Sequence, residues 1–440
     1  MNIYALSSGR GPSGIAIVRL SGNDALKIAH LISKKKDLKS KETNFCKFYN
    51  PSNNDLIDEG LLLMFLSPNS FTGDNLVEFH IHGSNAVVLC FLKVLSEQKN
   101  CRLAEAGEFT KIAFQNNKID LVEAESIGDL IYAETELQRQ QAIKLVQGRA
   151  SNYYNDLREK LIKSLAYIEA KIDFAEDDLP DSVLKDLQKS INEVYRDIKK
   201  ILENHKVGEK IRDGFRVSII GEVNAGKSSL LNLLSKRDVA IVSAEEGTTR
   251  DVIETYLNID GYPVILADTA GIRDSKNLVE KKGILLAISK SKEADLNIIM
   301  IDNSTKHINM KLKNLINKNS IVVLNKSDID SKKNHNFKEA IIVSVKNNHN
   351  IDLLVKKIKE ELSKKFITSG DVLVTRERHR EKLNACLKEL DNFLKKDQNK
   401  DIEMAAEDLR LATRQLGGIV GKVDVEEILG SIFKDFCIGK

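Results

Sequence analysis

Hydrophobic spacing changes character more than once along these 440 residues. Up to about residue 118 the apolar residues fall in short runs. Ile15-Ala16-Ile17-Val18-Arg19-Leu20 and Leu76-Val77-Glu78-Phe79-His80-Ile81-His82 predict strands, the second with partial alternation. Few long helical patterns accompany them, so this stretch reads as a small α+β module. From residue 119 the period lengthens. Tyr154, Leu157, Leu161, Leu165, Ile168 and Ile172 recur at steps of three and four. After Pro180 the same spacing resumes through Leu184, Leu187, Ile191, Val194, Ile198 and Ile201. Each stripe needs a partner surface to be buried. Between about 214 and 365 buried-strand runs return, and Leu383, Cys386, Leu387, Leu390 and Phe393 then restore a helical stripe.

The strand runs of that central segment end in chemistry. Phe215 to Ile220 leads into Gly221-Glu222-Val223-Asn224-Ala225-Gly226-Lys227-Ser228, and Ser229-Leu230-Leu231-Asn232-Leu233-Leu234 opens a helix. Strand, glycine-rich loop and helix together form a phosphate-binding loop. Its N–H groups close on a triphosphate at a helix N-terminus, where the dipole favours anions. Lys227 would reach the β- and γ-phosphates, and the Ser228 hydroxyl would take a place on Mg²⁺. Val264 to Ala267 ends in Asp268-Thr269-Ala270-Gly271, at the strand end where open α/β sheets bind ligands. Ile321 to Leu324 ends in Asn325-Lys326-Ser327-Asp328. A carboxylate there accepts from guanine N1–H and N2–H₂, a donor pair that adenine lacks. Ile341-Ile342-Val343 then delivers Ser344-Val345-Lys346 toward the base. In this order and context the four elements predict a GTPase domain.

The fold expected is therefore multidomain, mixing α/β and all-α. Residues 1–118 form the α+β module; 119–213 and 366–440 form two parts of a helical domain; 214–365 form an inserted Ras-like P-loop GTPase domain. Insertion is tolerated where domain termini lie close together. Two unconnected helical appendages are the competing arrangement.

Charge narrows little: 67 Lys and Arg stand against 64 Asp and Glu, a net charge of +3. The run Lys34-Lys35-Lys36 reads as a solvated helix end rather than an RNA contact. Cys46, Cys90, Cys101, Cys386 and Cys437 are scattered without CxxC pairing, which points to neither a zinc site nor a disulfide framework. They suit a reducing cytoplasm. His80 and His82 would share a strand face, and without a third ligand nearby they read as ordinary strand histidines. No basic-then-apolar leader opens the chain, and runs such as Leu61 to Leu66 are too short to span a bilayer.

Several stretches resemble the MnmE (TrmE) family of tRNA modification GTPases over the whole length. They are Gly9-Arg10-Gly11 through Arg19-Leu20-Ser21-Gly22, Ser70-Phe71-Thr72-Gly73-Asp74, Glu105-Ala106-Gly107-Glu108-Phe109-Thr110 and Lys118-Ile119-Asp120-Leu121. Gly247-Thr248-Thr249-Arg250-Asp251 and the terminal Cys437-Ile438-Gly439-Lys440 complete the set. The resemblance implies a homodimer joined through N-terminal modules that are similar to folate-dependent aminomethyltransferases. It implies an FAD- and NADH-dependent partner, MnmG (GidA), in a heterotetramer or larger complex. It also implies tRNA as substrate, with 5-aminomethyl- or 5-carboxymethylaminomethyluridine made at the wobble position. The one-carbon unit would come from 5,10-methylene-tetrahydrofolate, with Arg19, Glu78, Lys118 and Lys440 around the folate.

For turnover the resemblance implies a second set of roles. Thr249 would complete the Mg²⁺ shell begun by Ser228. Ile272 stands where many GTPases carry a water-orienting glutamine, and Glu280 would act instead through a bridging water. A K⁺ ion held by Asn224, Ser243, Thr248 and a carbonyl near Glu245 would replace an arginine finger. Ala244 and Glu246 complete the nucleotide-contacting stretch. Ser243 replaces a common threonine and keeps the oxygen ligand, and Glu222-Val223 replaces a proline-containing pair. Cys437 is open to both a catalytic and a structural reading. The rival function is a GTPase switch in ribosome assembly; a folate-dependent transferase regulated by its GTPase is a third.

Overall fold

The computed structural model describes residues 1–173, 181–203, 205–236, 254–267, 291–305, 310–329, 337, 339–366, 372–397, 401–423, 432, 436, 437 and 439. The described chain divides into two compact units: Met1–Gly128 with Leu145–Asp177 and Lys396–Lys440, and Asp129–Lys144 with Asp178–Lys395.

In the first unit, β1 (Asn2–Leu6), β2 (Ser13–Ser21), β3 (Asn44–Tyr49), β4 (Leu56–Phe65), β5 (Leu76–Gly83) and β6 (Cys101–Leu103) form one sheet in the order β3-β4-β5-β2-β1-β6. All its pairings are antiparallel except β1 with β6. The alternation in β5 works as an inward–outward code. Val77, Phe79 and Ile81 join the core, while Glu78 and His80 sit on the opposite face. Helices Ala25–Ser33 and Asn85–Ser96 cover the core side, where Phe48, Phe79 and Phe91 pack at centroid distances of 4.9 to 5.7 Å. The long helix Arg149–Asp173 packs against Ile402–Val420 in the same unit. Tyr154, Leu157, Leu161 and Ile168 are the buried members of its stripe.

The second unit holds β7 (Phe215–Gly221), β8 (Glu254–Ile259), β9 (Tyr262–Ala267), β10 (Leu296–Asp302), β11 (Ser320–Asn325) and β12 (Ile341–Ile342), ordered β12-β11-β10-β7-β9-β8. Every neighbouring pair is parallel except β8 with β9. Val217 and Ile219 belong to the core on one face, and Ile220 to a second core on the other. Burial on both faces is why these strands read as unbroken apolar runs. The strand order changes direction at β7, between β9 and β10, the position where such sheets open a ligand crevice. One antiparallel edge strand on a parallel sheet, with a glycine-rich loop after the central strand, gives a P-loop GTPase fold. It interrupts the helical region, as the sequence predicts. Helices Asp181–Glu203 and Glu377–Lys395, from either side of it, pack together. Among the described residues no helix is long and apolar enough to cross a membrane.

Candidate functional site

The loop after β7 is held open by its own backbone. Asn224 takes φ 66° and Gly226 φ 98°, left-handed values that a glycine adopts without strain. A Cβ on Gly226 would fall on the side-chain nitrogen of Asn325. Lys227 starts helix Lys227–Lys236, and its ammonium donates to Gly221 O at 3.0 Å and Glu222 O at 2.8 Å. Those bonds keep the cation over the loop, beside the N-terminal turn of the helix. Asn224, Ser228 and Ser229 are exposed, while Ala225 is fully buried. The cradle therefore presents a lysine, two hydroxyls and a helix N-terminus on one rim, which suits a polyphosphate with its Mg²⁺.

A buried side chain joins this cradle to the loop after β12. Asn325, 3% exposed, donates from Nδ2 to Ala225 O at 2.8 Å and accepts from Val345 N at 3.1 Å. Its amide thus ties the phosphate loop to the Ser344–Lys346 loop. Ser344 Oγ in turn donates to Asp328 Oδ1 at 2.7 Å. That hydrogen bond, one from its own backbone N–H, and the nearby Lys346 and Lys326 charges hold the Asp328 carboxyl below its ordinary value. Asp328 is consequently ionised and acceptor-only at neutral pH, the state that pairs with two guanine donors. Lys326, at φ 67°, binds Asp302 Oδ2 at 2.6 Å. Burial pushes the Asp302 carboxyl up, but hydrogen bonds from Lys326 and Ser304 outweigh it and leave the group low.

The first unit brings together a second cluster. Arg19 donates from Nε and Nη2 to Glu78 Oε1 at 3.0 and 2.7 Å. Its guanidinium carbon lies 5.7 Å from the Phe71 ring centroid and 5.6 Å from that of Phe109. A cation flanked by two rings and a carboxylate can bind a flat, polar heterocycle. Lys118 is engaged differently: its ammonium donates to Pro68 O at 2.7 Å. The chain's end docks on the same unit. Gly107 N donates to Cys437 O at 3.4 Å, and Ser7 Oγ donates to Gly439 O at 2.7 Å. Gly439, at φ 101°, lies so close to Leu6 O that a Cβ would collide with it. The Cys437 residue itself is exposed.

Known proteins match over the full chain. A family model for the N-terminus of the GTP-binding protein TrmE covers residues 2–118, and one for the MnmE helical domain covers 121–437. A tRNA modification GTPase MnmE from Pelagibacter ubique is 57% identical over 446 residues, spanning 100% of each chain. This chain belongs to the MnmE family. A Rickettsia bellii member is 43% identical over 445 residues, covering 100% of this chain and 99% of that one. A solved structure of Aquifex aeolicus Era bound to GDP·AlF4⁻ is 28% identical, covering 40% of this chain and 66% of that one, with a TM-score of 0.26.

Of the residues the sequence assigns to an MnmE-type site, Ser243 to Thr249, Asp268 to Gly271, Glu280 and Lys440 lie outside the described residues. His82, the histidine nearer the strand end, pairs with Asp58 at 2.8 Å. Among the described residues there is no group of three or more His, Cys, Asp or Glu able to hold a metal. Sequence reading missed Asp302, whose only signal is an aspartate closing the apolar run Leu296 to Ile301. It also missed that Asn325 is a strut between loops.

Proposed function

We propose that this chain hydrolyses GTP to GDP and phosphate and that the cycle serves modification of the tRNA wobble uridine. The observation that carries this reading is full-length identity to tRNA modification GTPases MnmE, combined with an ionised Asp328 coupled through Ser344 and Asn325 to the phosphate cradle. In the cradle Lys227 would bind phosphate oxygens, and Ser228 with Thr249 would hold Mg²⁺, which would neutralise charge on the β- and γ-phosphates. Asn224 offers an exposed amide oxygen at the loop's left-handed corner, which supports K⁺ binding with Ser243, Glu245 and Thr248. Glu280 would orient the attacking water, since Ile272 cannot.

The Arg19–Glu78 pair between Phe71 and Phe109 supports a tetrahydrofolate derivative in the N-terminal module, with Lys118 and Lys440 also expected around it. That folate would supply the one-carbon unit, and 5-aminomethyl- or 5-carboxymethylaminomethyluridine would be the product. A homodimer acting with MnmG and tRNA, in domains bounded near residues 118, 213 and 365, completes the proposal. The test is twofold. GTP turnover in KCl should far exceed that in NaCl, and Asn224→Ala should erase the difference. Nucleoside analysis of tRNA from a deletion strain should show loss of the modified wobble uridine. Intact wobble uridine with defective ribosome assembly would instead favour the assembly-switch reading.

A further inference from the structure

The outer edge of the N-terminal sheet carries a basic corner that neither the nucleotide cradle nor the Arg19–Glu78 cluster uses. β3 is the terminal strand of its sheet, and Phe45, Lys47 and Tyr49 alternate along its open face, with Phe45 62% exposed. Lys34 is the C-cap of helix Ala25–Ser33, and its ammonium lies 4.1 Å from the Tyr49 ring centroid. Lys35 donates to Phe45 O at 3.1 Å, and Lys36, Lys39 and Lys41 are exposed on the connecting loop. Between Lys34 and Tyr49 six lysines face two carboxylates, Asp37 and Glu42.

The kind of partner each lysine has is informative. Lys210, Lys326 and Lys396 are each paired with an aspartate. Within the corner, Lys47 meets Glu59 at 3.0 Å and Lys39 meets Glu42 at 3.4 Å. Lys34 and Lys35 instead lean on a ring and a carbonyl, which leave their charge uncancelled. Edge lysines also serve to stop strands from pairing with other chains. That role accounts for Lys35 on Phe45 O, but not for Lys36, Lys39 and Lys41, which lie off the strand. Lysines interleaved with an exposed aromatic are the pattern that tracks a nucleic-acid backbone while a base stacks.

We propose that this corner binds the phosphodiester backbone of an RNA strand and offers Phe45 to an unpaired base, which revises the sequence reading of Lys34-Lys35-Lys36 as a solvated helix end. The inference rests on the tRNA-modification reading and names the surface where that substrate would be held. The decisive variant is the triple Lys34→Glu, Lys36→Glu, Lys41→Glu. It keeps the strand edge charged but reverses the sign that RNA sees. Binding of tRNA to the full-length chain, followed by fluorescence anisotropy across a KCl series, should weaken at least tenfold at low salt. The slope of log affinity against log salt should flatten by about 2–3, at roughly 0.7–0.9 for each phosphate no longer neutralised. Phe45→Ala should weaken binding with the slope unchanged, because stacking releases no counterions. GTP turnover in K⁺ should match the parent in both variants. A triple variant with parental affinity and slope would overturn the proposal, as would a changed oligomeric state at parental tRNA affinity, which would assign the corner to a second copy. A parent chain that binds no tRNA would also overturn the proposal, whereas the tRNA-modification reading fails only if the modified wobble uridine persists in the deletion strain.

Discussion

Asn325 should matter through the two loops it joins. Asn325→Ala deletes the donor to Ala225 O and the acceptor for Val345 N, and both backbone groups sit on residues that are at least 92% buried. A buried polar group left without its partner costs about 1–3 kcal/mol, so the pair amounts to about 2–6 kcal/mol. For a domain of this size each kcal/mol moves the melting midpoint about 2–4 °C, which places the expected drop at roughly 5–20 °C. GTP affinity should fall with it, because the phosphate loop and the base loop would no longer be held in register. Asn325→Asp separates hydrogen bonding from shape. It retains an acceptor for Val345 N but turns a carboxylate oxygen toward Ala225 O, in a position 3% exposed. It should therefore be at least as damaging as the alanine variant despite its near-identical volume. The assays are thermal unfolding with and without nucleotide and equilibrium titration with a fluorescent GTP analogue. Parental melting and affinity in Asn325→Ala, or recovery in Asn325→Asp, would refute the strut.

Three further outcomes follow from the same geometry. Asp328→Asn should lose GTP binding and gain xanthosine triphosphate, whose base offers the complementary pattern; unchanged GTP affinity in a titration would remove Asp328 from base recognition. Because the folded-state pKa of Asp302 is depressed, its pairing with Lys326 stabilises fully above the ordinary carboxylate pKa. That stability should be lost as pH falls through the depressed value, so Asp302→Asn should flatten the acid limb of a stability–pH profile, and an unchanged limb would contradict the pairing. Cys437→Ser should keep K⁺-stimulated GTP turnover while abolishing wobble-uridine modification, and modified nucleoside at parental levels would leave the thiol a packing role.

Phosphate chemistry made the GTPase site legible. A loop that wraps a triphosphate needs Gly226, Lys227 and Ser228 at fixed spacing after a strand, and no packing accident supplies them in that order. The contact between Asn325 and Ala225 joins loops a hundred residues apart. Only the sheet order, with β10 between β7 and β11, brings them within reach, and no local pattern encodes that order. The helical stripes show the same division. Leu157 and Leu161 reveal that a face must be buried, since their period is local. The period is silent on whether the partner is Asp181–Glu203, next in sequence, or Ile402–Val420, more than two hundred residues away. The structure gives the second.

The chain terminus follows from the same reasoning and carries it into function. Helix Ile402–Val420 packs on Arg149–Asp173 in the unit that contains Arg19 and Glu78, so residues beyond Val420 begin from a fixed point in that unit. Phe436, 8% exposed, then packs against Ala124 and beside Gly128. Only afterwards do Gly107 N and Ser7 Oγ take the carbonyls of Cys437 and Gly439. The backbone is pinned on both sides of Ile438 while Cys437 stays exposed, and Gly439 is needed because a side chain there would strike Leu6 O. Backbone hydrogen bonds at Cys437 and Gly439, with Cys437 exposed, are the ground for expecting Cys437→Ser to act on modification and not on GTP turnover.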